Sequence, residues 1–196
     1  MTGIFGESNW MRKQASDAVK KDIIPRSEKI GQVVGMAFIV VFVGFFVKHQ
    51  TDSTGFFTSE FGTAETIIFY TAVLFGFVTG SAKVIVGRKN RVRPIELVGN
   101  LLWIVASIWL LIVFPFNFAH LADVLPEVLQ PLLDWISNDI ARILLVVGAI
   151  GGFIALFFTT MLYLFVGRKL AEEMAQEAAQ EAAEVTEEGD QPSGEI

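Results

Sequence analysis

The sequence predicts an all-α membrane protein, with four transmembrane helices built as two tandem, parallel-related helical hairpins about a pseudo-two-fold axis along the membrane normal. Three observations predict it. Of the 196 residues 53% are hydrophobic and the mean hydropathy is +0.53, too apolar for a soluble domain of ordinary composition. The apolar residues gather into four blocks, roughly 30–47, 64–86, 97–118 and 140–166, each matching the about 20 residues a helix needs to cross the hydrocarbon core. The tetrapeptide Val-Gly-Arg-Lys closes the second block and recurs, eighty positions later, at the end of the fourth.

Residues 1–27 precede the first block. Within them, Ile4, Trp10, Met11, Ala15, Ala18, Val19 and Ile23 fall at helical steps with Lys and Arg on the remaining face. This suits an amphipathic helix on the inner membrane surface, with a basic disordered tail as the alternative. Pro25 then interrupts the chain. A cleavable signal peptide is not expected, because the first apolar block begins only after some thirty polar residues.

The four blocks define a transmembrane domain over 28–169. Its first outer connection, "HQTDSTGFFTSEFGTAE", is short and polar with interspersed aromatics, and is expected to fold over the rim of the bundle. The second, "HLADVLPEVLQPLLDWISND", carries Leu121, Val124, Leu125, Val128, Leu129, Leu132, Leu133 and Ile136 at helical spacing. It is expected to form a short amphipathic helix on the outer interface, anchored by Trp135. Residues 170–196 hold nine acids and no basic residue. They read as an acidic tail, helical at first and then disordered.

Charge sets the orientation. Of the fifteen Lys and Arg, six precede the first span, five lie between the second and third, and two follow the fourth, leaving Lys48 and Arg142 for the other side. That other side holds seven acids. By the positive-inside rule both termini and the "GRKNRVRP" segment, read as a loop, are cytoplasmic.

The repeat extends beyond the tetrapeptide. "FVTGSAKVIVGRK" from Phe77 and "FFTTMLYLFVGRK" from Phe157 share Phe, Thr (Thr79 and Thr159) and Val-Gly-Arg-Lys at a constant offset of eighty. "EKIGQVV" from Glu28 and "ELVGNLL" from Glu96 match at an offset of sixty-eight, and the difference of twelve falls in the outer loops, where insertions are tolerated. Repeat 1 is therefore 28–89 and repeat 2 is 96–169. Each crosses twice, so both copies face the same way.

The spans carry no Asp, Glu, Lys, Arg or His at their centres, which argues against proton relays, ion-coupled transport and voltage sensing. Gln32 pairs with Asn100, and Thr79 with Thr159, at equivalent repeat positions near the inner surface. Two readings stand side by side: ordinary interhelical hydrogen bonds, or a polar constriction around the pseudo-axis. Glu28, Arg88, Lys89, Glu96, Arg168 and Lys169 form a collar at the inner interface. Its members either pair with one another, stapling each hairpin, or bind lipid headgroups. Gly31 with Gly35, Gly76 with Gly80, and Gly148 with Gly152 are spaced four apart for close helix packing, within the bundle or between protomers.

His49 and His120, both placed just beyond outer helix ends, are too few to hold a metal or haem without carboxylate help, and neither group is expected. With no cysteine there is no disulfide or thiol chemistry. No nucleophile–base set, phosphate loop or zinc-protease motif appears, so no enzyme activity, cofactor or nucleic-acid partner is expected. The function expected is a non-catalytic, homo-oligomeric membrane protein of pore or passive-transport type. The alternative is a structural or accessory subunit that binds anionic inner-leaflet lipid or a larger membrane complex.

Overall fold

The computed structural model describes residues 22–189, and within them every extended element is a helix: α1 (Arg26–Thr51), α2 (Thr63–Val86), α3 (Lys89–Val113) and α4 (Asn138–Gly189). All four are long and apolar enough to cross a membrane, α4 through its Asn138–Lys169 part. The amphipathic segment expected before Asp22 and the tail after Gly189 lie outside the described residues. The chain forms two compact units, Ile23–Thr160 and one that includes Met161 onward. In the second unit α4 stays helical through Gly167, Arg168 and Lys169 as far as Gly189.

In the first unit, α1 begins after extended Pro25 and ends with Lys48 and His49 in its last turn, where cationic or polar groups suit the carbonyl end of the helix dipole. At the start of α2 the Glu65 carboxylate accepts a hydrogen bond from the Gly62 N–H at 3.1 Å, covering one of the free donors of a helix N-terminus. Gly87 ends α2 in the left-handed region at φ 67°. Arg88 is extended, and α3 starts at the next residue.

Two expectations about α3 are corrected. The "GRKNRVRP" stretch is not a loop, because Lys89 to Pro94 form the opening turns of the helix. Pro94 sits close enough to the N-terminus that its missing N–H costs a single helical bond, the one to the Asn90 carbonyl. At the other end α3 stops at Val113 and not near residue 118, since Pro115 disfavours a helical Phe114, which turns left-handed at φ 43°.

The second outer connection is also corrected. In place of one amphipathic helix it holds two single turns of 3-10 helix, Phe118–His120 and Gln130–Leu132. Pro126 and Pro131 supply no N–H and restrict the residues before them, so the apolar periodicity across the segment is never realised as one helix.

Short antiparallel bridges lock both ends of the unit. At the loop end Phe57 pairs with Phe116, and the Asn117 N–H reaches the Phe56 carbonyl at 2.7 Å. At the basic end Ile23 pairs with Arg88, and the Ile24 N–H reaches the Gly87 carbonyl at 2.9 Å.

The buried core lies toward the loop end, where Phe46, Phe56, Leu110, Phe116 and Leu121 gather with Phe42, Phe45, Phe57, Phe61, Phe69 and Phe118 around them. The rings meet mostly edge-on or tilted, as at Phe46 on Phe69 (5.1 Å, 83°) and Phe56 on Phe118 (5.2 Å, 75°), the arrangement their quadrupoles favour. Elsewhere, apart from buried residues such as Ile24, Val92 and Ile104, many apolar side chains are exposed, Val41 to 70% and Ile112 to 75%. This is the disposition of a surface solvated by lipid tails, where helices associate through close packing and not through hydrophobic burial.

Small residues provide that packing unevenly. A methyl group at Gly76 would stand 3.0 Å from Ile39 of α1, and one at Gly80 3.0 Å from Met36. One at Gly152 would fall 2.7 Å from Ile104 of α3. Gly148 lies against Trp103 at ordinary contact distance, whereas Gly31 and Gly35 have nothing within 4 Å, so their spacing serves no contact inside the described chain.

Candidate functional site

Four of the polar residues within the spans line one cavity. Gln32 from α1, Thr79 from α2, Asn100 from α3 and Thr159 from α4 face a space of about 410 Å³ at the basic end of the unit Ile23–Thr160. Helical geometry places them there: Gly76, Gly80 and Lys83 share with Thr79 the side of α2 turned to the cavity, and Glu96, Gly99, Asn100 and Trp103 do the same on α3. Glycines 76, 80 and 99 also line it, and a methyl group at any of them would press within about 3.1 Å of a neighbouring side chain, Ile39, Met36 or Phe75.

The hydrogen-bonding state of these groups differs. The Thr79 hydroxyl donates to the Phe75 carbonyl at 3.1 Å, leaving its oxygen lone pairs toward the cavity. Gln32 and Asn100 are half-buried, and among the described residues neither amide has a side-chain partner. Each therefore presents an unused donor and an unused acceptor. Lys83 and Glu96, the charged groups on the cavity wall, neutralise each other at 2.7 Å with about a quarter of each side chain exposed.

Two of the collar residues meet each other, Glu28 and Lys89 at 2.7 Å, while Glu96 is paired with Lys83 and so ties α2 to α3. The reason is local: α2 presents Lys83 one turn before Gly87, while the position eighty residues on is Tyr163, which carries no charge. Arg88 is exposed and contributes its backbone to the bridge with Ile23. Arg168 and Lys169 lie inside α4, so the second Val-Gly-Arg-Lys is not a helix end.

A second cavity, about 680 Å³, occupies the loop end. Its wall is aromatic and aliphatic, with Phe38, Phe42 and Phe45 from α1, Phe69 and Val73 from α2, and Leu125, Leu129 and Leu132 from the second outer connection. Among the described residues Ser107 is its one side chain with a hydroxyl, amide or charge. The two cavities have two lining residues in common, Ala72 of α2 and Trp103 of α3. Trp103 donates its indole N–H to the Gly148 carbonyl of α4 at 3.2 Å, which fixes the ring where the cavities adjoin.

Trp103 escaped the sequence reading, although it left a signal. Tryptophan prefers the membrane–water interfaces, and a Trp well inside an apolar span is out of place unless its N–H has a protein acceptor. The same holds for Trp109, whose indole donates to the buried Glu65 carboxylate at 3.1 Å.

Both histidines at the loop end are engaged with groups of the chain. His49 lies within the last turn of α1 and not beyond it, and is 1% exposed. Its Nε2 faces the Leu121 carbonyl at 3.1 Å and must carry the proton, so Nδ1 accepts from the Thr54 hydroxyl at 2.6 Å. Both ring nitrogens are engaged with the protein. His120 pairs with Asp123 at 2.8 Å and packs beside Gly55, whose φ of 90° only glycine adopts easily.

Comparison with protein-family models, with curated proteins and with solved structures found no match.

Proposed function

We propose that this is a non-catalytic, multi-pass membrane protein of passive-transport type, with both termini cytoplasmic, in which the solute moves through the bundle by way of the two adjoining cavities. The observation that supports the reading is that a polar cavity at the basic end and an apolar cavity at the loop end share the lining residues Ala72 and Trp103. A simple ion path fits poorly. The apolar chamber offers an ion no ligands and would dewet, as hydrophobic constrictions in channels do. The duplicated hairpin accounts for the matched origin of Gln32 with Asn100 and Thr79 with Thr159. Homo-oligomerisation is assigned to the open face of α1 at Gly31 and Gly35, where nothing approaches within 4 Å.

The test is flux in liposomes containing the purified chain, followed for small polar solutes, ions and uncharged amphiphiles. Solute flux above that of empty liposomes is expected, and Ala72→Trp, which closes the junction, is expected to abolish it. Absence of flux for every class, with protein shown to be inserted and folded, rejects the reading. The accessory-subunit alternative then gains, and the exposed Arg88 is its first contact candidate.

A further inference from the structure

We infer that the two cavities together bind one single-chain amphiphile with an uncharged, hydrogen-bonding head, which names the solute class for the passive-transport reading and rests on it. The apolar chamber decides the tail. Among the described residues its wall has Ser107 as its one side chain with a hydroxyl, amide or charge, so a water there would lack the two to four partners a buried water needs, and a polar head would be desolvated without compensation. Hydrocarbon is the occupant such a wall accepts. At about 680 Å³ the chamber falls in the size range of small-molecule sites.

The polar chamber decides the head. Gln32 and Asn100 offer amides with both donors and acceptors free, Thr79 offers an acceptor, and Thr159 adds a hydroxyl. A head with several hydroxyl or amide groups matches them. Charge is selected against, because Lys83 and Glu96 already satisfy each other at 2.7 Å. An anionic head would compete with Glu96 for Lys83, and a cationic head would compete with Lys83 for Glu96. The junction fixes the number of chains. Ala72 of α2 and Trp103 of α3 are the lining residues the two chambers share, and the Trp103 indole is held by the Gly148 carbonyl at 3.2 Å.

Monolauroylglycerol is a suitable probe, with a chain-brominated analogue to quench tryptophan, added to the full chain in lipid nanodiscs. Saturable quenching is expected in the native protein, and its saturable component should disappear in Trp103→Phe. Removing both head partners with Gln32→Leu and Asn100→Leu is expected to weaken binding about tenfold or more, the equivalent of one or two lost hydrogen bonds. Leu125→Trp, which fills the apolar chamber without touching the head site, should abolish it. Laurate and dodecyltrimethylammonium are expected to bind about tenfold more weakly than the neutral probe or worse. Cooperative melting of each variant shows that it is folded. Equal binding of the charged probes, quenching unchanged in the double variant or in Leu125→Trp, or no saturable component at all overturns the inference. Binding without transbilayer movement overturns the transport reading and leaves this one standing. Flux of small polar solutes with no amphiphile binding does the reverse.

Discussion

Lys83 Nζ lies 2.7 Å from Glu96 Oε1, joining the last turn of α2 to the second turn of α3 across the corner at Gly87. Glu28 lies at the same distance from Lys89, joining the first turn of α1 to the first residue of α3. Three helices are thus tied at the basic end by two ion pairs that share no residue.

The pairs are expected to respond differently to single substitutions. Lys83→Met strands the Glu96 carboxylate on a cavity wall and should cost about 1–3 kcal/mol, with much of the loss recovered in the double variant with Glu96→Leu. Lys89→Met leaves Glu28 with about a third of its side chain exposed, and a cost below about 1 kcal/mol is expected there. Double-mutant cycles from unfolding in mixed micelles measure both.

The same substitution in the same tetrapeptide should change stability in opposite directions. Gly87 sits at φ 67°, so Gly87→Ala forces a left-handed alanine and is expected to destabilise by about 1–2 kcal/mol. Gly167 is inside α4, so Gly167→Ala is expected to stabilise by about 0.5–1 kcal/mol. Melting temperatures of the two single variants decide it.

His49 holds the end of α1 to the second outer connection. His49→Phe keeps the ring in its aromatic surroundings, against Phe45 and Phe56 at 4.8 and 4.9 Å. It leaves the Leu121 carbonyl without the His49 donor and the Thr54 O–H without its acceptor, and a loss of about 1–3 kcal/mol is expected. Amide exchange at residues 121–125, which should rise in the variant, shows whether the connection has been released.

The glycines of α4 and α1 should separate internal packing from association. Gly152→Ala drives a methyl group to 2.7 Å from Ile104, and a cost of about 1–3 kcal/mol is expected. A methyl group at Gly35 would meet nothing within 4 Å among the described residues, so for Gly35→Leu unfolding should be unchanged while any oligomer assembled on that face dissociates. Mass measured in nanodiscs reads the second effect.

Four spans were legible in the sequence because lipid imposes a length and a composition that survive averaging over twenty residues. The polar residues of the candidate site were legible too, since Gln32, Asn100, Thr79 and Thr159 stood out against an apolar background at matched positions. What could not be read were partners and local geometry. Whether Glu96 meets Lys83 depends on the α2–α3 corner. The second outer connection carried a helical pattern that two prolines cancelled. Trp103 looked like one more apolar residue until Gly148 supplied its acceptor. The apolar chamber had no sequence signal apart from abundant phenylalanine, because an aromatic residue that lines a space and one that fills a core are the same residue in the chain.

The bridge from Ile23 and Ile24 to the corner at Gly87 and Arg88 also sets an order of events during biosynthesis. Ile24 leaves the ribosome well before Gly87, so the segment that pairs with the corner is already synthesised when α2 and α3 emerge. These two helices can then enter the bilayer as a bent pair instead of one continuous rod. Among the described residues the second Val-Gly-Arg-Lys meets no such segment, and there the helix runs straight on.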